Sequence, residues 1–214
     1  MKTQTLTSAV LFALLFMLTS SPTYAALDAF LKIEGIEGES RAAGHEDEIE
    51  VLAWSWGIAN PPSHGGQDPD GHEHRVVRDL VIRKAYDKAS PKLFRAAFTE
   101  EPLDTADEPV RLVIRKKYGE GDDAVTVPFK EIKLSEGVYV VGYDHEWGPD
   151  YRDPDDDGDG IPTKSGTPTE SLSFSYGKIE ITYSPQGEDG RHLGLGSDAD
   201  VSVEILNTPP RVDE

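Results

Sequence analysis

The apolar residues of segment 125–134 keep a two-residue rhythm and then change phase. Val125, Val127 and Phe129 alternate, whereas Ile132 and Leu134 continue on the opposite parity. Side chains of a strand alternate between its two faces. The apolar set therefore stays on one face only if a bulge near Lys130 and Glu131 absorbs the extra residue. The same event recurs at 172–183, where Leu172, Phe174 and Tyr176 alternate, Gly177 interrupts, and Ile179, Ile181 and Tyr183 resume. Glycine is the residue expected at such a bend. Bent strands curl a sheet, so the chain is constrained towards curved sheets enclosing one core.

Further strand patterns lie at 26–34, 48–58, 76–86, 110–118, 137–143 and 201–205. In 48–58, Ile49, Val51 and Ala53 share one face and Leu52, Trp54 and Trp56 the other, which predicts a strand buried on both sides. Trp54 and Trp56 are expected to pack the barrel or a subunit contact. Segment 79–98 reads as a strand, a turn and the one substantial helix. Leu80 to Ile82 form the apolar run, Ser90 suits the N-cap, and Pro91 suits the first helical position, where its missing N–H costs nothing. Leu93, Phe94, Ala97 and Phe98 would form the helix's apolar face, and Pro102 limits its length. The predicted fold class is mainly β: a small β-barrel of two curled sheets with one flanking α-helix.

The first 25 residues differ from the rest. Lys2 supplies a short positive region, 9–18 an apolar run, and Thr23-Tyr24-Ala25 a small-x-small cleavage pattern. This is the anatomy of a secretory signal peptide cleaved after Ala25, which predicts a secreted or periplasmic protein with no membrane span after cleavage. The expected organisation is a signal peptide at 1–25, a barrel domain at 26–186 with an acidic insert at about 149–168, and a divergent strand and tail at 187–214. The formal charge is −19, and losing Lys2 with the leader makes it −20. Such a field excludes nucleic acid, whose phosphates require a basic footprint, and disfavours anionic membranes. The charge is uneven. Segment 144–159 holds eight acids against one base, segment 79–98 five bases against two acids, and segment 110–118 four bases and no acid. Basic strands and acidic loops can attract across a subunit interface.

Without cysteine, thiol catalysis, disulfides and cysteine-ligated zinc are excluded. No G-x-S-x-G elbow, H-E-x-x-H helix, P-loop or dinucleotide fingerprint is present, and no catalytic residue is assigned. Asp144-His145-Glu146 reads as a polar strand end. The sharpest local motif is DPDDDGDGIP, in which Asp153, Asp155, Asp157 and Asp159 precede Gly160. Alternate carboxylates in a D-x-D-x-D-G run can turn towards one hard cation, which makes calcium the cofactor this loop points to. The alternative is an acidic solvated loop: a bidentate acid at the twelfth loop position is missing, since Gly166 or Lys164 stands there. His64, His72 and His74, with Asp68 and Asp70, occupy a Pro- and Gly-rich loop at 60–74 without a recognised ligand spacing.

Four ordered stretches carry a family resemblance: ALDAFLKIEGIEGES at 26–40, EIEVLAWSWGIAN at 48–60, DLVIRKAYDKASPKLFRAAF at 79–98 and PTESLSFSYGKIEITYSPQ at 168–186. Together they resemble the Hcp family (haemolysin-coregulated protein), the tube proteins of the type VI secretion system. The resemblance implies a small β-barrel with a flanking helix that assembles into hexameric rings. Stacked rings form a tube whose lumen can hold secreted effectors. It implies that loop 60–74 reaches a neighbouring ring and that no bond is made or broken. The basic segments 79–98 and 110–118 are then candidates for one face of the ring contact. The signal peptide departs from the family, whose tubes assemble in the cytoplasm. A second reading therefore stays open: an exported binding module with the same fold, possibly calcium-dependent, outside any secretion machine.

Overall fold

The computed structural model describes residues 27–59, 76–119, 124–146, 168–189 and 191–207. In chain order these form β1 (Leu27–Lys32), β2 (Ile49–Glu50), β3 (Ala53–Ser55), β4 (Ile58–Ala59), β5 (Val76–Val77) and β6 (Leu80–Ala85). Helix α1 (Ser90–Thr99) follows, then β7 (Val110–Tyr118), β8 (Val125–Ser135), β9 (Tyr139–Glu146), β10 (Thr169–Ser175), β11 (Lys178–Tyr183) and β12 (Val201–Leu206). The strands pair as a six-stranded sheet, β12-β11-β8-β7-β1-β2, a four-stranded sheet, β3-β6-β10-β9, and the short pair β4-β5. Every pairing is antiparallel.

The phase changes in the sequence mark where the sheets bend. Between β7 and β8 the register steps from Ile114↔Lys130 to Arg115↔Pro128, which leaves Phe129 as the extra residue of a bulge, one position before Lys130. The bend expected at Gly177 is present, between β10 and β11. It turns the chain from β10 in the four-stranded sheet to β11 in the six-stranded one. β8 runs into β9 beside it, because β8 pairs with β11 and β9 with β10. Two long strands thus bend together. Glu136 and Gly137 take left-handed backbone conformations at the bend, with φ of 63° and 88°. The Gly177 N–H donates to the Ser135 carbonyl at 3.2 Å. A Cβ on Gly177 would run into the Glu136 carbonyl, so close approach explains the glycine.

Segment 48–58 is not one strand buried on both sides. β2 pairs with β1, β3 pairs with β6, and β4 pairs with β5, so the segment crosses from one sheet to the other. Ile49 and Val51 are buried, Leu52 and Ala53 are exposed, and Trp54 and Trp56 are half-buried against the core. Each face is covered only where the opposite sheet lies over it. The Trp56 indole donates to the Tyr176 hydroxyl, which donates to the Arg78 carbonyl at 2.8 Å, where segment 76–86 breaks into β5 and β6. The core between the sheets contains Leu31, Ile49, Leu80, Ile82, Leu112, Leu134, Leu172 and Phe174. Each buried aliphatic of this size contributes roughly 1.5–3 kcal/mol.

Helix α1 departs from expectation in two respects. The cap position belongs to Ala89, and Ser90 is the first helical residue, with Pro91 second. The buried positions are Ser90, Leu93 and Ala96, whereas Phe94 and Phe98 are 57% and 82% exposed. The helix is rolled so that Ser90, Leu93 and Ala96 face the core, with Ala97 packed partly against it. The cause is the engagement of Ser90 described next.

Candidate assembly surfaces

Lys84 lies on β6 with the same parity as Leu80 and Ile82, so its side chain enters the core and is fully buried. Its ammonium donates to Glu170 Oε1 at 2.7 Å, Asp87 Oδ1 at 2.7 Å, Ser90 Oγ at 3.1 Å and the Ala85 carbonyl at 2.8 Å. Ser90 Oγ donates to Glu170 Oε1 at 2.8 Å and accepts the Asp87 N–H at 3.0 Å. The hydroxyl that would have capped the helix is therefore committed inward, and Asp87 instead accepts the Ala89 N–H at 2.9 Å. Tyr143 on β9 donates to Glu170 Oε2. Burial, then the Glu170 carboxylate, push the Tyr143 phenol above its ordinary range. A buried ammonium and carboxylate persist only when fully paired, and this cluster pairs them across β6, α1, β9 and β10.

The cluster fixes what α1 shows to solvent. Phe94 and Phe98 are one turn apart and lie on one stripe. Phe94 meets Tyr143 edge-on at 5.4 Å between ring centres, and Tyr86 leans on His145 at 5.2 Å. Helix α1 packs against β9, the edge strand of its sheet, where Val141 is also exposed.

The basic segments are mostly neutralised within the chain. Lys88 reaches Asp47 at 2.9 Å and Glu37 at 3.3 Å, and Arg83 bonds Thr169 Oγ1 at 3.2 Å. Arg111 meets Glu48 and Glu131, each at 3.6 Å, and Arg115 meets Asp28 at 3.4 Å while lying 4.5 Å over the Phe30 ring. His45 is also stacked on Phe30, at 4.6 Å between ring centres, and bonded to Glu48 at 2.7 Å. Lys92 and Arg95 keep their places on the exposed side of α1. Lys92 bonds the Gly35 carbonyl at 2.8 Å and Arg95 meets the exposed Glu101 at 3.2 Å.

At the opposite sheet edge, β12 pairs only with β11 among the described residues. Val201, Val203 and Leu206 are exposed, and Tyr183 lies across from Val201. The turn leading into β12 is held by Asp200, which accepts the Gly196 N–H at 2.6 Å and the Ser197 hydroxyl at 2.6 Å. His192 anchors the preceding loop, stacked on Phe129 at 4.4 Å and bonded to the Ser184 carbonyl at 2.7 Å.

The bent two-sheet β structure with one flanking helix is a recognisable scaffold. Comparison with known families decides which one: the profile described as "Type VI secretion system effector, Hcp" matches residues 30–183. The chain belongs to the Hcp family. It is 30% identical over 170 residues to Hcp1 of Pseudomonas aeruginosa, covering 79% of this chain and 90% of that protein. Among solved structures, a type six secretion system protein matches with a TM-score of 0.56 and 25% identity, covering 79% of this chain and 91% of its own. Hcp1 of Salmonella typhimurium matches with a TM-score of 0.55 and 22% identity, covering 85% and 94%.

On this Hcp fold, Asp144 and His145 are successive exposed residues of β9 and point to opposite faces, so they form no acid–base pair. Asp153, Asp155, Asp157 and Asp159, and His64, His72 and His74 with Asp68 and Asp70, lie outside the described residues, as does the leader 1–25. Among the described residues no group of His, Asp and Glu is arranged to hold a metal ion, and no helix is long and apolar enough to cross a membrane. Motif and charge counts do not single out the Lys84 cluster, but strand parity carries its signal. Lys84 and Glu170 occupy inward parities shared with Leu80 and Ile82 and with Leu172 and Phe174.

Proposed function

We propose that the chain from Ala26 onwards is an exported structural component that self-assembles into rings and stacked rings of a type VI secretion system. Membership of the Hcp family supplies the class of role. The observation that carries self-assembly is the pair of open flanks. β9 lies on one side of the bent β10–β11 strand and β12 on the other, each with an unpaired edge among the described residues. An unpaired edge is a template for another chain. Open flanks on opposite sides permit a head-to-tail contact, which closes as a ring when the rotation allows. Size-exclusion chromatography with light scattering tests this directly: a discrete multimer is expected, and one-subunit mass at high protein concentration contradicts it.

A second reading, an exported Hcp-fold module that binds a partner with calcium, is favoured by the leader pattern and by the Asp155-x-Asp157-x-Asp159-Gly160 spacing. The expected affinity is in the extracellular range, Kd of about 10⁻⁴–10⁻³ M. Calorimetry checks it: heat that disappears in the variant D155N/D157N supports a site, and no calcium heat at millimolar metal removes it.

A further inference from the structure

We infer that the subunit contact is made by two particular faces: the aromatic stripe of α1 on one copy and the exposed edge of β12 on the next. This inference rests on the self-assembly reading and names the surfaces through which it occurs.

The first face is anomalous as a free surface. Phe98 is 82% exposed and Phe94 57%, on a helix whose inward side is closed by Ser90, Leu93 and Ala96. The helix cannot roll to bury them, because Ser90 is bonded to Lys84 and Glu170 in the core. The phenylalanines are therefore held outward by the same contacts that dock the helix. Adjacent aromatic side chains held in water mark an interaction site more often than isolated exposed residues do.

The second face is the uncovered end of an otherwise inward-facing row. On β11, Ile179 is buried and Ile181 packs against the core; opposite them on β12, Ile205 also packs there. The row continues beyond the four-stranded sheet as Val203, Val201 and Tyr183, which are exposed. The result is a short aliphatic strip next to a strand edge that is unpaired among the described residues.

Charge selects these faces for each other. Helix α1, SPKLFRAAFT, carries Lys92 and Arg95 and no acid of its own. Arg95 is paired with Glu101 just past the helix end, whereas Lys92, whose ammonium donates to the neutral Gly35 carbonyl, keeps its charge unneutralised among the described residues. Segment 187–206 carries Glu188, Asp189, Asp198, Asp200 and Glu204 against Arg191 alone. Interfaces place an apolar centre inside a polar rim, and opposite rims steer the encounter and fix its register. Two α1 faces would set like charges together, as would two β12 faces. The complementary arrangement is the heterologous one, from α1 of one copy to β12 of the next; β9, against which α1 packs, and β12 lie on opposite sides of the β10–β11 strand. The occupant of each face is therefore a second copy of this chain.

The test uses the chain from Ala26 to its end and three variants. Phe98→Asp and Val203→Asp each spoil one face at an exposed position, so thermal melts should match the parent. The double variant K92E/R95E reverses the rim charge, losing with it the exposed Lys92–Gly35 and Arg95–Glu101 contacts, and should weaken assembly on the order of tenfold while leaving the subunit folded by circular dichroism. Sedimentation velocity should show a multimer for the parent and single subunits for each aspartate variant alone. An equimolar mixture of the two aspartate variants should give a two-subunit particle, because each retains the face that the other lacks. A multimer that survives Phe98→Asp or Val203→Asp overturns the assignment of faces and leaves self-assembly intact, with another occupant on these surfaces. A mixture that stays single overturns the pairing. A parent that is single at every concentration overturns the self-assembly reading and this inference with it.

Discussion

Lys84 Nζ lies 2.7 Å from Glu170 Oε1, and neither side chain is reached by solvent. The pair spans 86 residues of sequence and joins β6 to β10. Through Ser90 it also sets the roll of α1, and through Tyr143 it reaches β9. Its geometry explains why a helix with two phenylalanines buries its serine and one of its alanines instead.

Lys84→Met leaves the Glu170 carboxylate buried without its cation and should destabilise the fold by about 3–5 kcal/mol. The pair K84M/E170L, which removes both charges, should recover most of that loss. Urea unfolding followed by fluorescence measures both. A single variant as stable as the parent would show that the pair is solvated.

Tyr143→Phe removes the bond to Glu170, and its effect should depend on pH. The phenol is raised above its ordinary value by burial and by Glu170. A raised folded pKa gives a contribution that is complete below the unfolded value of about 10 and is lost as pH rises through the folded one. The stability gap between parent and variant should therefore be constant at neutral pH and close under strong alkali. A gap that widens with alkali contradicts this sign.

Gly177→Ala places a Cβ against the Glu136 carbonyl, a backbone atom that cannot swing aside. The two bent strands must separate, at a cost of roughly 1–3 kcal/mol. A melting temperature equal to the parent's would show that the corner is loose.

How much of this was legible in the sequence divides along physical lines. Alternation fixes which residues share a face, so β7 at Val110–Tyr118 and the bulge in β8 were readable to within a residue. Alternation does not say which sheet a strand joins, so 48–58 reads as one strand, and the bend expected at Gly177 does not reveal that it carries the chain from one sheet to the other. Of the expected helix face, Leu93 and Ala97 do pack on the core, whereas Phe94 and Phe98, apolar in any periodicity, stay exposed. What decides the roll is the commitment of Ser90 to Lys84 and Glu170, one of them far away in sequence. The basic segments are candidates in the sequence for one face of a ring contact, yet Lys84, Lys88, Arg111 and Arg115 pair with acids of the same chain.

Asp200 offers a check on the segment that leads into β12. The Ser197 hydroxyl, followed by the Gly196 N–H, holds its carboxyl below the ordinary range. A depressed folded pKa gives order that is present above the unfolded value and is lost as pH falls through the folded one. Carboxyl NMR should find Asp200 titrating below the other exposed aspartates, and Asp200→Asn should raise amide exchange at 196–200. A titration at the ordinary value contradicts the hydrogen-bonded turn.

Self-assembly through opposite flanks is tested most directly by electron microscopy of the chain from Ala26, with and without calcium. Annular particles, single or stacked, are the predicted result. A field of isolated single subunits at every protein concentration would contradict the account.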